Sequence, residues 1–305
     1  MGDKLLIKAS PKYGIGDDYE ILKATRQRRH EGTYITPSTK YADDVIAALE
    51  LGNSTTTARP GLGLAACDGD DVEGDEVAGS VYRMCVGKLL YLSHYRFDIQ
   101  FVVRQLCKKL RGPDGLSMRR LRHLAKYLKG TREMSLFFPS EGELSDIRVY
   151  VDSDWAGDPE TRHSCSGGIV MLGGCPMQSW SRGQTVAAQS SGEAEFYAIV
   201  CGTGEGLSLQ SILHDLGLGA TTVIYTDSNA GRAITNRLGA GRIKHIETKH
   251  LHVQNLVREG RLSIQRVDGI SNPADLGTKA VATPVLVKLL PLTGLTDMSS
   301  ETAYV

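Results

Sequence analysis

The chain has no long apolar run and no surplus of either charge. Nothing in its 305 residues approaches the ~20 apolar residues of a membrane-spanning helix. The N-terminus, MGDKLLIKASPKYG, has no apolar core ahead of a cleavage site, so no secretory signal is expected. Lys and Arg number 35 and Asp and Glu number 35. That balance excludes a global basic field, and contact with a polyanion must come from a local patch. The six cysteines (Cys67, Cys85, Cys107, Cys165, Cys175, Cys201) show no Cys-x-x-Cys spacing. Their scatter argues against a zinc site and a disulfide framework, and for reduced thiols in an intracellular protein. What is present is ordinary for a globular chain, 41% apolar and 23% charged, with room for about two domains.

Residues 1–58 are polar and mixed. Within them Ser38-Thr39-Lys40-Tyr41-Ala42-Asp43-Asp44, followed by VIAALELG, reads as a helix with a Ser or Thr cap, acidic residues in its first turn and a Gly stop. Residues 59–80, rich in Gly and Asp, read as a long loop. Apolar residues at three-to-four spacing then predict helices from Tyr82, from Phe97 and over Met118–Gly130. The last is basic on one face, through Arg119, Arg120, Arg122, Lys126 and Lys129. Such a run is either a solvated surface or a phosphate-facing platform. At Asp146 the period changes to two. Ile147–Asp152, Gly167–Leu172, Met177–Ser181, Thr222–Thr226 and Leu262–Val267 read as strands. Between and after them come helices over Ser191–Leu216 (weakened by Gly202, Gly204 and Gly206), from Ser228, over Thr248–Glu259, and after Asn272-Pro273. This order predicts an α/β unit over 146–281, a mixed sheet flanked by helices, preceded by a mainly helical segment over 59–145 and followed by a tail over 282–305.

The informative residues are acids at the ends of strands and the starts of helices. Asp152 follows Val149-Tyr150-Val151, Asp227 follows Ile224-Tyr225-Thr226, Glu195 lies early in the long helix, and Asp275 opens the last one. Burying a carboxylate at the end of an apolar strand is costly, and a divalent cation removes the cost; hard oxygen ligands suit Mg²⁺. Four such acids at one spot could hold two ions ~3.5–4 Å apart, the arrangement for phosphodiester cleavage. Each acid also has a bland reading: Asp227-Ser228 as a helix cap, Asp275 as a favourable charge at a helix start, and Asp154 and Glu193 as rivals within their own motifs.

Together these motifs resemble the ribonuclease H domain of copia-type retrotransposon polyproteins. The resemblance rests on Val149–Asp152 with Asp154-Trp155-Ala156-Gly157, Ser166-Gly167-Gly168, Ser179-Trp180-Ser181, Ser190–Ala198, Tyr225–Ser228, Lys244–His250 and Asn272–Lys279, in the family's order. Val86–Ser93, Phe97–Ile99 and Tyr127–Thr131 are similar to the segment joining reverse transcriptase to RNase H, which makes residues 1–58 a remnant of the polymerase's C-terminal region. The resemblance implies a ribonuclease H-like fold and an endonuclease cutting the RNA strand of RNA–DNA hybrids. It implies two Mg²⁺ ions, replaceable by Mn²⁺, on Asp152, Glu195, Asp227 and Asp275, with Asp152 chosen over Asp154 and Glu195 over Glu193. It further implies the reverse transcriptase of the same polyprotein as a partner, and a cytoplasmic (virus-like particle) or nuclear location.

Lys244, His245 and Lys249, with Arg119, Arg122 and Lys126, are candidate phosphate contacts. Two features depart from the pattern. The loop Val267–Asn272 lacks the histidine that many ribonucleases H carry before their last acid. Tyr41-Ala42-Asp43-Asp44 mimics a polymerase signature, but its helix-start context predicts no polymerase activity. Because the polymerase core is missing, residues 1–140 are expected to aid hybrid binding without being needed for the chemistry. An integrase or transposase would end on a Glu, whereas the last acid here is Asp275. A decayed element that binds nucleic acid without cutting it is the remaining alternative.

Overall fold

The computed structural model describes residues 11–62, 76–239 and 248–297. Two five-stranded sheets organise them. The one that carries the site contains β5 (Asp146–Asp154), β6 (Cys165–Leu172), β7 (Cys175–Gly183), β8 (Thr221–Thr226) and β9 (Leu262–Arg266), in the order β7-β6-β5-β8-β9. β5, β6 and β7 are antiparallel neighbours, whereas β8 lies parallel to β5 and β9 parallel to β8. This is the mixed, ribonuclease H-like sheet that the sequence predicts. α5 (Ser191–Asp215) crosses one face, followed by α6 (Asn229–Asn236) and α7 (His252–Arg258). Gly202 and Gly206 explain why glycines sit inside a 25-residue helix: a Cβ on Gly202 would come within 2.5 Å of Val151, and one on Gly206 within 2.6 Å of Thr222. Helix propensity is given up for a close approach of α5 to the sheet.

β6 is buried along its whole length because both of its faces are covered. Val170 and Leu172 join the core under α5, with Ile147, Val149, Val151 and Ile224. Ile169 and Met171 face the other way, into a second core. That core belongs to α1 (Lys40–Ala48), α2 (Glu76–Ser93), α3 (Phe97–Cys107) and α4 (Gly115–Thr131), and it includes Leu89, Phe97, Leu106 and Leu124. Leu276, beside Asp275, packs into it, as do Leu286 and Leu289 of α8 (Thr283–Leu289). The two halves of the chain therefore share this second core.

The other sheet has the order β1-β2-β3-β4-β10, all antiparallel: β1 (Asp18–Ile21), β2 (Ala24–Arg28), β3 (Gly32–Pro37), β4 (Met134–Pro139) and β10 (Leu295–Asp297). The sequence did not announce it. The β1–β2 turn is made by Leu22 and Lys23, both at positive φ (53° and 63°), where Asn-Gly is the usual signal. The strands themselves are short and polar, and β10 lies in the stretch read as a tail. Other boundaries shift slightly. α2 begins at Glu76, inside the stretch read as a loop; Asp152 lies two residues before the end of β5; and the helix expected over Thr248–Glu259 is a 3₁₀ turn, Thr248–Leu251, leading into α7. The segment after Asn272 is a 3₁₀ helix, Pro273–Gly277, and not an α-helix. Tyr41–Asp44 does lie in a helix, α1, where Asp43 pairs with Arg132 at 2.8 Å and Asp44 with Lys88 at 2.6 Å.

Candidate metal centre

β5 and β8 run side by side and α5 starts above them, so residues at corresponding ends of the three elements meet. Asp152 comes from β5, Asp227 from the residue after β8, and Glu195 from the second turn of α5. One carboxylate oxygen from each lies within 4.8 Å of the others, a set able to hold a metal ion. Asp152 is 4% exposed. Its Oδ2 accepts a hydrogen bond from Thr278 Oγ1 at 2.5 Å. Glu195 Oε1 accepts from the backbone N–H and the hydroxyl of Ser153, at 3.3 and 2.9 Å. Its other oxygen, Oε2, is buried without a hydrogen-bond partner. A buried carboxylate oxygen left unpaired is costly, and a bound cation is what cancels that cost. The residues present therefore fit a hard divalent ion.

The electrostatics agree. Burial pushes the Glu195 carboxyl up to about 8, with the charge of Asp152 adding to it and the Ser153 hydrogen bond working against it. Burial likewise pushes Asp152 up to about 6, against the pull of Lys279. Asp227 is raised by burial and then by Asp152. Three acids held above their ordinary range in one place are unfavourable as anions until a cation arrives.

Neither rival carboxylate belongs to the three-acid set. Glu193 serves the start of α5: Ser190 Oγ accepts from its N–H, its Oε2 accepts from Gln189 N–H and its Oε1 from the Tyr197 hydroxyl. Asp154 is half-buried, against Gly157; burial raises its carboxyl, Lys279 pulls against that, Asp152 adds to it and Arg104 opposes it. The cap of α6 is Ser228, which accepts from Gly231 N–H at 3.0 Å, so Asp227 is not the capping residue.

Asp275 lies outside the three-acid cluster. It is buried on the Pro273–Gly277 turn and faces Lys279, whose Nζ is 2.8 Å from Asp275 Oδ1 and 3.6 Å from Asp152 Oδ2. The turn is fixed by Asn272, which donates to Val151 O at 3.0 Å and accepts from Ala274 N–H at 3.2 Å. It also lies so close to β6 and β7 that a Cβ on Gly167 would come within 2.8 Å of Ala274 O, and one on Gly277 within 2.9 Å of Trp180 O. Lys279, Thr278, Asn272 and Ser153 were not singled out from the sequence. Their only signal was membership in motifs whose acids drew the attention.

Of the candidate nucleic-acid contacts, Lys244 and His245 lie outside the described residues, as does the side chain of Lys249. Arg119, Arg122 and Lys126 are on α4, which packs against α1, α2 and α3; the helix that reaches β7 and the Asp275 turn is α3. Lys129 of the same basic run is engaged with the carbonyls of Leu51, Gly52 and Ser54.

No family model matches the chain. It is 33% identical to the retrovirus-related Pol polyprotein of transposon RE1 of Arabidopsis thaliana over 204 residues, 66% of this chain and 14% of that protein. It is 27% identical to the Pol polyprotein of transposon TNT 1-94 of Nicotiana tabacum over 286 residues, 90% of this chain and 21% of that protein. Among solved structures it is similar to the N-terminal RNase H domain of a Mycobacterium tuberculosis protein, at 16% identity and a TM-score of 0.32, over 48% of this chain and 96% of that one. The chain thus spans between about a seventh and a fifth of the polyproteins it matches. Over these residues the chain is a homologue of one stretch of retrotransposon Pol polyproteins.

Proposed function

We propose that this chain is a ribonuclease H, a metal-dependent endonuclease that hydrolyses the RNA strand of RNA–DNA hybrids within a retrotransposon Pol polyprotein. The observation that carries this is the convergence of Asp152, Glu195 and Asp227, with Glu195 Oε2 buried and unpaired. Asp152, Glu195 and Asp227 would hold the ion, and Asp275 would share in a second site through its position beside Asp152. When bound, Mg²⁺ or Mn²⁺ supplies Lewis-acid activation of water and stabilises the charge that develops on the cleaved phosphate. The protein's own contribution is positioning. Thr278 and Ser153 each fix one oxygen of Asp152 and Glu195, and Asn272 fixes the turn that carries Asp275.

In this reading residues 146–281 are the nuclease unit, and the reverse transcriptase of the same polyprotein delivers the hybrid. Lys244, His245 and Lys249, with Arg119, Arg122 and Lys126, meet its phosphates. The test is to incubate the purified chain with a labelled hybrid, and with the matching RNA and DNA duplexes, with and without Mg²⁺ or Mn²⁺. Metal-dependent cutting of the RNA strand in the hybrid alone is expected. Hybrid binding without cleavage would replace this reading with that of a decayed, nucleic-acid-binding element.

A further inference from the structure

Four carboxylates, Asp152, Glu195, Asp227 and Asp275, gather at this end of the sheet, yet they do not form one symmetrical cage. Three cluster on one side of Asp152, and on its other side the partner of Asp275 is an amine of the chain itself. Lys279 Nζ is 2.8 Å from Asp275 Oδ1 and 3.6 Å from Asp152 Oδ2. This is not a loose surface pair. The Lys279 N–H donates to the Asp275 carbonyl at 3.2 Å, and the residue follows Thr278, whose hydroxyl is bonded to Asp152. The whole turn is anchored to β5 through Asn272 and pressed onto β6 at Gly167. The Lys279 side chain is nevertheless 48% exposed, which leaves its flexible stem a way out to water.

We infer that Lys279 is a resident counter-ion, whose ammonium occupies the Asp152–Asp275 side of the centre and must swing out before a second divalent cation binds there. The inference rests on the metal-centre reading above. An ammonium and a divalent cation cannot share two carboxylates at these distances without strong like-charge repulsion. The three-acid side has the unpaired Glu195 Oε2 to offer, and Lys279 makes its 2.8 Å contact with Asp275, outside that set. The site therefore takes a first ion readily and a second one only in competition with the protein's own charge.

The experiment is a Mn²⁺ titration of the full chain by calorimetry, with bound ions counted by electron paramagnetic resonance. The variants are Lys279→Met, Lys279→Gln and Lys279→Arg, with melting of the metal-free proteins followed in parallel. The native chain should bind one ion tightly and a second weakly. Removing the charge in Lys279→Met or Lys279→Gln should tighten the second site on the order of tenfold or more, while Lys279→Arg stays near the native value. Both neutral variants should melt lower than the native protein without metal, and Mn²⁺ should close that gap, because it replaces the lost charge. The inference is overturned if the neutral variants keep the native second-site affinity, if the native chain binds two ions equally well, or if it binds none. Failure of the nuclease reading looks different: a metal-loaded native chain that leaves the hybrid uncut. The titration is decided without reference to cleavage.

Discussion

Glu193 and Glu195 stand two residues apart and have different tasks. Glu193 closes the first turn of α5, and Glu195 reaches Asp152 and Asp227. Glu195→Gln should therefore abolish hybrid cleavage, as should Asp152→Asn and Asp227→Asn, while raising metal-free stability by ~1–3 kcal/mol through relief of buried charge. Glu193→Gln should do the reverse, costing about 1 kcal/mol in lost hydrogen bonding with cleavage largely kept. Cleavage rates and melting curves on the four variants check this, and an active Glu195→Gln would reassign the site.

The same burial gives a pH dependence. Glu195 titrates near 8 in the folded chain, against an ordinary carboxyl near 4.5. A raised folded-state value means that the native protein binds the proton more tightly than the unfolded one. The stability from that proton is full below about 4.5 and is lost as pH rises towards about 8. Asp152, at about 6, adds to the loss over the lower part of this range. The metal-free protein should thus melt at progressively lower temperature between these limits, with a total effect of at most a few kcal/mol. Saturating Mg²⁺ should flatten the profile and release protons on binding, measurable by calorimetry in buffers of different ionisation enthalpy. The acids themselves were legible in the sequence because strand-end carboxylates are chemically conspicuous. The roles of Asn272 and Thr278 were not, because hydrogen bonding to Val151 O and to Asp152, more than a hundred residues away, leaves no local pattern.

At the scale of elements, α3 decides how independent the β5–β9 sheet and its helices are. It lies against β7 and the Pro273–Gly277 turn, with Phe97 in contact range of Gly277. The residues just past its end reach the loop after β5: Lys108 pairs with Asp158 at 2.8 Å, and Lys109 pairs with Glu160. The sequence led to the expectation that residues 1–140 are dispensable for chemistry. The shared core points the other way, because their removal would bare Ile169, Met171 and Leu276, the last of them next to Asp275. A chain lacking residues 1–140 should lose both its cooperative melting transition and hybrid cleavage, and full activity at saturating substrate would contradict this. A milder version is Gly277→Ala, whose new methyl would press on Trp180 O, Phe97 and Gly167. It should cost ~1–3 kcal/mol by overpacking. The sheet over β5–β9 was readable because its strands alternate or, like β6, end in a continuous apolar run, Ile169–Leu172. The meander β1–β3 was hidden by polar strands and a Leu-Lys turn, and its pairing with β4 and β10 is set by contacts distant in sequence.

For the molecule as a whole, ion pairs tie acids of the first half to bases distant in sequence. Asp43 and Asp44, the acids of the polymerase-like tetrapeptide, are tied to Arg132 and Lys88 on a helix and do not face each other across a strand turn. Primer-extension assays should therefore detect no templated synthesis, and Asp43→Asn with Asp44→Asn should leave hybrid cleavage unchanged. Extension that disappears in this double variant would reverse that conclusion.

The first sheet has a further consequence, because β4 and β10 are hydrogen-bonded neighbours although some 155 residues separate them in the chain. Topologically, the stretch that carries the β5–β9 sheet is a long excursion that leaves this sheet at Pro139 and returns to it at Leu295. A protease cutting between residues 140 and 145 would sever the backbone without freeing either product. β10 would remain zipped to β4, and Leu276, Leu286 and Leu289 would remain seated among the helices. Maturation by cleavage at that connection would yield two polypeptides that travel as one particle.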